Sequence, residues 1–186
     1  MKTFLQDLPA CISVDVETAG ANPRSYALLS IGACTLTQPR QTFYIELKPD
    51  KADFQPQAME IHGLDLAKLK AEGVEPEQAL LRFEKWLKRV VPEGMQPIFL
   101  AFNAPFDWMF VNDYFISYLG RNPFGHNALD IKAFYMGASG VSWRETSGSK
   151  MRQLFSEDRE LTHNALEDAV EQADIFEQVL KRYFPK

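Results

Sequence analysis

The 186-residue chain is poor in cysteine, in net positive charge and in long apolar runs, and each shortage excludes something. Two cysteines, Cys11 and Cys34, cannot build a disulfide framework and show no CxxC or Cys/His spacing for zinc, so reduced core thiols are expected. The longest clean apolar run, residues 98–102, falls far short of the ~18 residues that a membrane span requires. No signal-peptide core opens the chain either, and a soluble, cytoplasmic protein is the expectation. Lys plus Arg number 20 against 25 Asp plus Glu, a net charge of −5, which argues against a histone-like binder that grips nucleic acid through a basic surface. Nucleic acid as a substrate is not excluded, because carboxylates gathered around divalent cations present a positive face to phosphate once loaded.

What is present is a core. With 46% hydrophobic and 12% aromatic residues, the chain reads as one folded domain over residues 1–186. Residues 11–16 alternate and are β-branched, residues 27–36 and 42–47 read as two further strands, and Thr37-Gln38-Pro39-Arg40 connects the last two as a hairpin. Residues 76–91 space Leu80, Phe83, Leu87 and Val90 at helical intervals, and Pro92-Glu93-Gly94 stops the pattern. Residues 97–102 form a short continuous apolar strand, and 106–119 an aromatic-rich helix closed by Gly120. A weaker strand fits 127–131 and a polar loop 139–149. A long amphipathic helix then runs through Leu166, Ala169, Ala173, Phe176, Leu180 and Tyr183. Three strands followed by helix and strand alternation predict an α/β domain with a mixed sheet, helices on both faces and a site near one end of the central strands.

Three fragments carry acids where a plain fold has little use for them. Asp15 and Glu17 sit two apart in an apolar strand, so both point to one face. Adjacent carboxylates repel, so either a cation or a proton compensates them or the pair lies at a solvated strand end. Asp107 follows the strand break at Asn103 in a helix's first turn, where it serves either the helix dipole or the ligand site that such junctions form. His163 precedes Asp168 by five residues at the start of the last helix, and a lone histidine there is either structural or catalytic.

Together, Val14-Asp15-Val16-Glu17-Thr18, Asn103-Ala104-Pro105-Phe106-Asp107 and His163-Asn164-Ala165-Leu166-Glu167-Asp168 resemble, in order and separation, the three motifs of the DEDDh group of DnaQ-like 3′-5′ exonucleases. Ile61-His62-Gly63-Leu64 and Leu129-Asp130 resemble two lesser features of that group, while Ala19 stands where many relatives carry Thr or Ser. The resemblance implies a ribonuclease H-like fold with a mixed five-stranded sheet. It implies that Asp15, Glu17, Asp107 and Asp168 hold two divalent cations, Mg²⁺ or Mn²⁺, with Glu17 also serving the chemistry and His163 as general base. Two such ions would take the net charge from −5 to −1. The implied reaction is hydrolysis of single-stranded RNA or DNA from the 3′ end to nucleoside 5′-monophosphates.

Thr18, Leu28, Asn103 and Phe106 are the candidate substrate contacts, with Tyr26, Trp143 and Arg144 as further aromatic or basic neighbours. Arg144, Lys150, Arg152 and Arg159 form no basic patch, being offset by Glu145, Glu157, Asp158 and Glu160. His62 and Asp130 read as structural, shaping a turn and bracing the site. A homodimer and a polymerase partner both stay open. A ribonuclease H-type endonuclease and a catalytically silent binding module are the competing functional classes.

Overall fold

The computed structural model describes residues 6–156 and 163–185. Five strands form one mixed sheet in the order β3-β2-β1-β4-β5: β1 (Cys11–Thr18), β2 (Leu28–Thr35), β3 (Thr42–Glu46), β4 (Ile98–Ala101) and β5 (Ala128–Asp130). The first three strands pair antiparallel, whereas β4 and β5 run parallel to β1 through helical crossovers. The mixed sheet expected from the strand and helix order is therefore the one observed.

Strand β1 is central and its two faces serve different layers. Ile12, Val14 and Val16 point into a core with α3 (Pro76–Val90) and α4 (Ala104–Leu119), built around Phe83, Phe99, Phe110 and Phe115. Cys11 points the other way, into a second core with Leu100, α5 (Ile131–Ser139) and α7 (Ala165–Tyr183), where Phe176 and Val179 are buried. Period-two alternation puts Asp15 and Glu17 on this second face, under the first turns of α7.

Four short helices were not legible as helices. They are α1 (Pro56–His62), α2 (Leu66–Glu72), α5, and α6 (Gly148–Phe155), the last of which replaces part of the expected loop. Helix α1 buries no residue, α2 only Leu69 and α6 only Met151, so none carries a helical apolar stripe. Local chemistry defines them instead: Pro56 opens α1 and Gly63, at φ 66°, closes it, while the Asp65 side chain accepts from the Ala67 and Lys68 amides to start α2.

Candidate active site

The site sits where β1 and β4 part company. Parallel pairing between them covers only Cys11–Ser13, so the rest of that edge of β1 has no strand partner. The gap is filled by the first turn of α4, and the Val16 amide donates to Asp107 Oδ1 at 3.2 Å. Asp107 is thus fixed to the strand that carries Asp15 and Glu17.

The entry into α4 is built for this. Asn103 adopts the left-handed conformation (φ 67°, ψ 45°) and gives the helix no side-chain cap. The cap comes from β5: Asp130 Oδ2 accepts from the Ala104 amide at 2.7 Å, while its Oδ1 accepts from the Ala133 amide at 2.7 Å and caps α5. Asp130 therefore braces two helix starts, one of them the support of Asp107.

Helix α7 reaches the sheet because of a glycine. Gly32 pairs with Asp15 across the β1–β2 ladder, and a Cβ built on it would lie 2.1–2.2 Å from the backbone of Ala165 and Leu166. Only a bare Cα lets the first turn of α7 settle here, with Asn164 capping the helix through the Leu166 and Glu167 amides. One turn on, the carboxylates of Asp15, Glu17 and Asp168 come to lie within 4.8 Å of one another. A cavity of about 350 Å³ opens beside them, lined also by Asn103, Phe106, Asp107, Arg152 and His163.

Four acids gathered in a partly buried site raise one another's affinity for protons. Asp15 is pushed well above the usual carboxylate range, first by burial and then by Asp107, Glu17 and Asp168. Burial, then Asp168 and Asp107, pushes Glu17 up to about 8. Asp107 rises to about 8 through burial, against amide hydrogen bonds that favour its charged form. Close oxygen donors whose repulsion only a cation or a proton relieves fit a hard divalent ion, and the donor set contains no thiolate.

Gln172, unforeseen in the sequence, joins three elements at the back of the cavity. Its Nε2 donates to Asp15 Oδ1 at 2.6 Å and its Oε1 accepts from the Phe102 amide at 2.8 Å. The signal was its place four residues after Asp168, on the same face of α7. Arg152 is a second unforeseen lining residue, brought in by α6.

The candidate substrate contacts divide. Asn103 and Phe106 line the cavity, with the Phe106 ring 5.5 Å from that of Phe110 and tilted against it by 52°. Thr18 and Leu28 do not: Thr18 is buried and its hydroxyl donates to the Gly20 carbonyl, and Leu28 is wholly buried with its amide donating to the Tyr114 hydroxyl. Both positions follow Glu17 closely in sequence, but the chain turns inward there. Trp143 is half-exposed beneath the Lys132 ammonium, outside the cavity lining. Glu157, Asp158, Arg159 and Glu160 lie outside the described residues.

His163 lines the cavity with a positive φ of 51° and is half-buried. His62 has the structural place expected of it. Its Nδ1 accepts from the Leu64 amide, which leaves Nε2 to donate to the Thr18 carbonyl at 3.3 Å. Burial holds His62 below the usual imidazole range, and nearby His163 adds to the effect.

A family model described as an exonuclease, of the ribonuclease T type, matches residues 12–176. The Escherichia coli protein named 3′-5′ DNA exonuclease Cap18 is 46% identical over 170 residues, spanning 91% of this chain and 91% of that protein. Ribonuclease T of Yersinia pseudotuberculosis is 30% identical over 186 residues, spanning 92% of this chain and 85% of its own. Among solved structures, the nuclease domain of 3′hExo, described as a DEDDh family member bound to rAMP, shares the fold with a TM-score of 0.78 at 17% identity, covering 92% of each chain.

Proposed function

Because the chain belongs to the DEDDh group of DnaQ-like 3′-5′ exonucleases, we propose that it removes nucleotides from the 3′ end of single-stranded DNA as 5′-monophosphates, with two divalent cations bound. The observation that carries this reading is the convergence of Asp15, Glu17 and Asp168 within 4.8 Å, on a cavity that Asp107 and His163 also line. DNA is favoured over RNA by the 46% identical relative that is named for DNA.

Asp15, Glu17, Asp107 and Asp168 are the residues that would hold Mg²⁺ or Mn²⁺, whose charge stabilises the attacking and leaving oxygens of a displacement at phosphorus. His163, which lines the cavity, takes the proton of the attacking water. As the water oxygen bonds to phosphorus, the bond from phosphorus to the 3′ oxygen of the penultimate nucleotide breaks. That oxygen takes a proton from solvent water and leaves as a new 3′ hydroxyl. Phe106 offers a ring face to the terminal base, and Asn103 offers polar contacts beside it. Arg152, the one Lys or Arg lining the cavity among the described residues, would meet a phosphate of the strand.

The test is cleavage of matched DNA and RNA single strands, each with a free or a blocked 3′ end, in Mg²⁺ or Mn²⁺. Stepwise release of mononucleotides from free DNA ends is expected. Internal cuts would indicate an endonuclease, absence of cleavage a binding module, and faster decay of RNA would overturn the choice of substrate.

A further inference from the structure

On the far edge of the sheet lies a groove of about 700 Å³ between β3 and α3 that the hydrolytic reading does not use. Its lining holds four cations, Arg82, Lys85, Lys88 and Arg89, with Phe43 and Trp86 at its floor, and no acid. Arg82, Lys85 and Arg89 are exposed, recur at helical spacing on one face of α3, and have no carboxylate within 4.0 Å among the described residues. Lys88 alone is partly engaged, at 3.3 Å from Glu84, which Arg121 also holds. The floor is rigid, because Phe43 stacks on Phe83 at 4.9 Å and lies 5.6 Å from Trp86. The buried indole nitrogen of Trp86 has no acceptor among the described residues.

A concentration of positive charge stands out on a chain of net charge −5. Two divalent cations would only offset the four carboxylates of the catalytic cavity and would act on the scissile phosphate, so the body of a long polyanionic strand gains little net attraction there and needs it elsewhere. From Arg82 to Arg89 the helix rises roughly 10 Å, about the length of three stacked nucleotides. Register places the groove apart from the site: Asp15 pairs with Gly32 and Gly32 with Tyr44, two strands or roughly 10 Å away, and Phe43 faces the opposite side of the sheet.

We propose that the β3–α3 groove is a second contact surface for the substrate, holding the phosphates of the strand upstream of the 3′ end being cut. This rests on the exonuclease reading for the identity of the strand. Tethering at two places raises the effective concentration of the 3′ end at the cavity without any new contact to the scissile bond. The alternative use of such cations is to guard an exposed sheet edge against strand addition, which requires no ligand.

The experiment compares the wild-type chain with Arg82→Gln/Lys85→Gln/Arg89→Gln, and with Lys68→Gln/Lys70→Gln/Lys181→Gln as a control of equal charge change. All six side chains are exposed on helices, and circular dichroism checks the fold. Binding of a fluorescein-labelled DNA strand of about 30 nucleotides is followed in EDTA across a salt series, and hydrolysis of that strand and of a trinucleotide in Mn²⁺. The groove variant should lose about tenfold in affinity, lower the salt slope by about 2, and raise KM for the long strand only. Unchanged binding, an equal loss in the control, or capture of a polyglutamate peptide in preference to DNA would overturn the proposal. Failure of wild type to cut either substrate, with binding intact, would instead count against the exonuclease reading.

Discussion

At the scale of single residues, the site separates groups that hold charge from groups that place it. His163 lines the cavity but is not one of the three residues clustered within ligand distance, so His163→Ala should leave Mn²⁺ binding intact while kcat falls by on the order of 10²–10⁴. Calorimetric titration beside a cleavage assay checks this, and full activity of the variant at neutral pH would remove His163 from the mechanism. Gln172 lines the cavity and holds Asp15, its Nε2 donating to Asp15 Oδ1 at 2.6 Å. Gln172→Leu removes the donor to Asp15 and leaves the Phe102 amide without its acceptor, so Mn²⁺ affinity should fall by about tenfold or more. Gln172→Glu retains the acceptor for Phe102 but not the donor. An equal loss in both variants would locate the effect at Asp15, whereas a loss confined to Gln172→Leu would locate it at the end of β4. His163 was legible in sequence because it belongs to a spaced motif. Gln172 was not, because its place four residues after Asp168 gains meaning only once Asp15 and the Phe102 amide are seen to pack against it.

At the scale of elements, the decisive contact is the seat of α7 on β2. Gly32→Ala would place a methyl carbon at 2.1–2.2 Å from the backbone of Ala165 and Leu166, so the helix must move off the sheet. Overpacking of this kind costs about 1–3 kcal/mol, a loss of roughly 2–12 °C in Tm for a chain of this size. Because the shifted turn carries Asp168, the variant should also bind Mn²⁺ more weakly than its stability loss alone implies, as calorimetry below its Tm would show. Full metal affinity in a destabilised Gly32→Ala protein would contradict this account. The framework of β1 to β4 with α3, α4 and α7 was readable from the apolar pattern, since each of those elements buries a face, whereas β5 buries no residue and gave only a weaker strand signal. Helices α1, α2 and α6 bury one residue or none, and their caps carry too little signal to be read without the turns that surround them.

At the scale of the whole molecule, the site couples stability to pH and to metal. Unfolded carboxylates titrate near 4, whereas Glu17 and Asp107 are pushed up to about 8 in the fold, with Asp15 raised as well. Between about pH 4 and pH 8 the native chain therefore binds more protons than the unfolded chain. The contribution is full below the unfolded value and is lost as pH rises through the folded one. In EDTA, Tm should fall as pH rises from about 5 to about 8.5. Mn²⁺ should raise Tm, and by more at the alkaline end, because fewer protons then compete for the carboxylates. Thermal melts over that range check both signs, and a metal-free Tm that climbs toward pH 8 would mean that the cluster is not strained by its own charge.

The sequence by itself determined the framework and the acids. Periodicity 2 and 3.6 record which faces are buried, and Asp15, Glu17, Asp107, His163 and Asp168 lie in three motifs whose order and separation are intact. Tertiary structure decided how those acids meet and what supports them. The gap where β1 and β4 part admits Asp107, Gly32 admits α7, Asp130 caps α4 from another strand, and Gln172 ties α7 to both β1 and β4. It also decided that Thr18 and Leu28 turn inward and that the cations of α3 gather on a free sheet edge. Contacts between residues 26 to 157 positions apart leave no local pattern along the chain, because a hydrogen bond or a close approach constrains space and not sequence spacing.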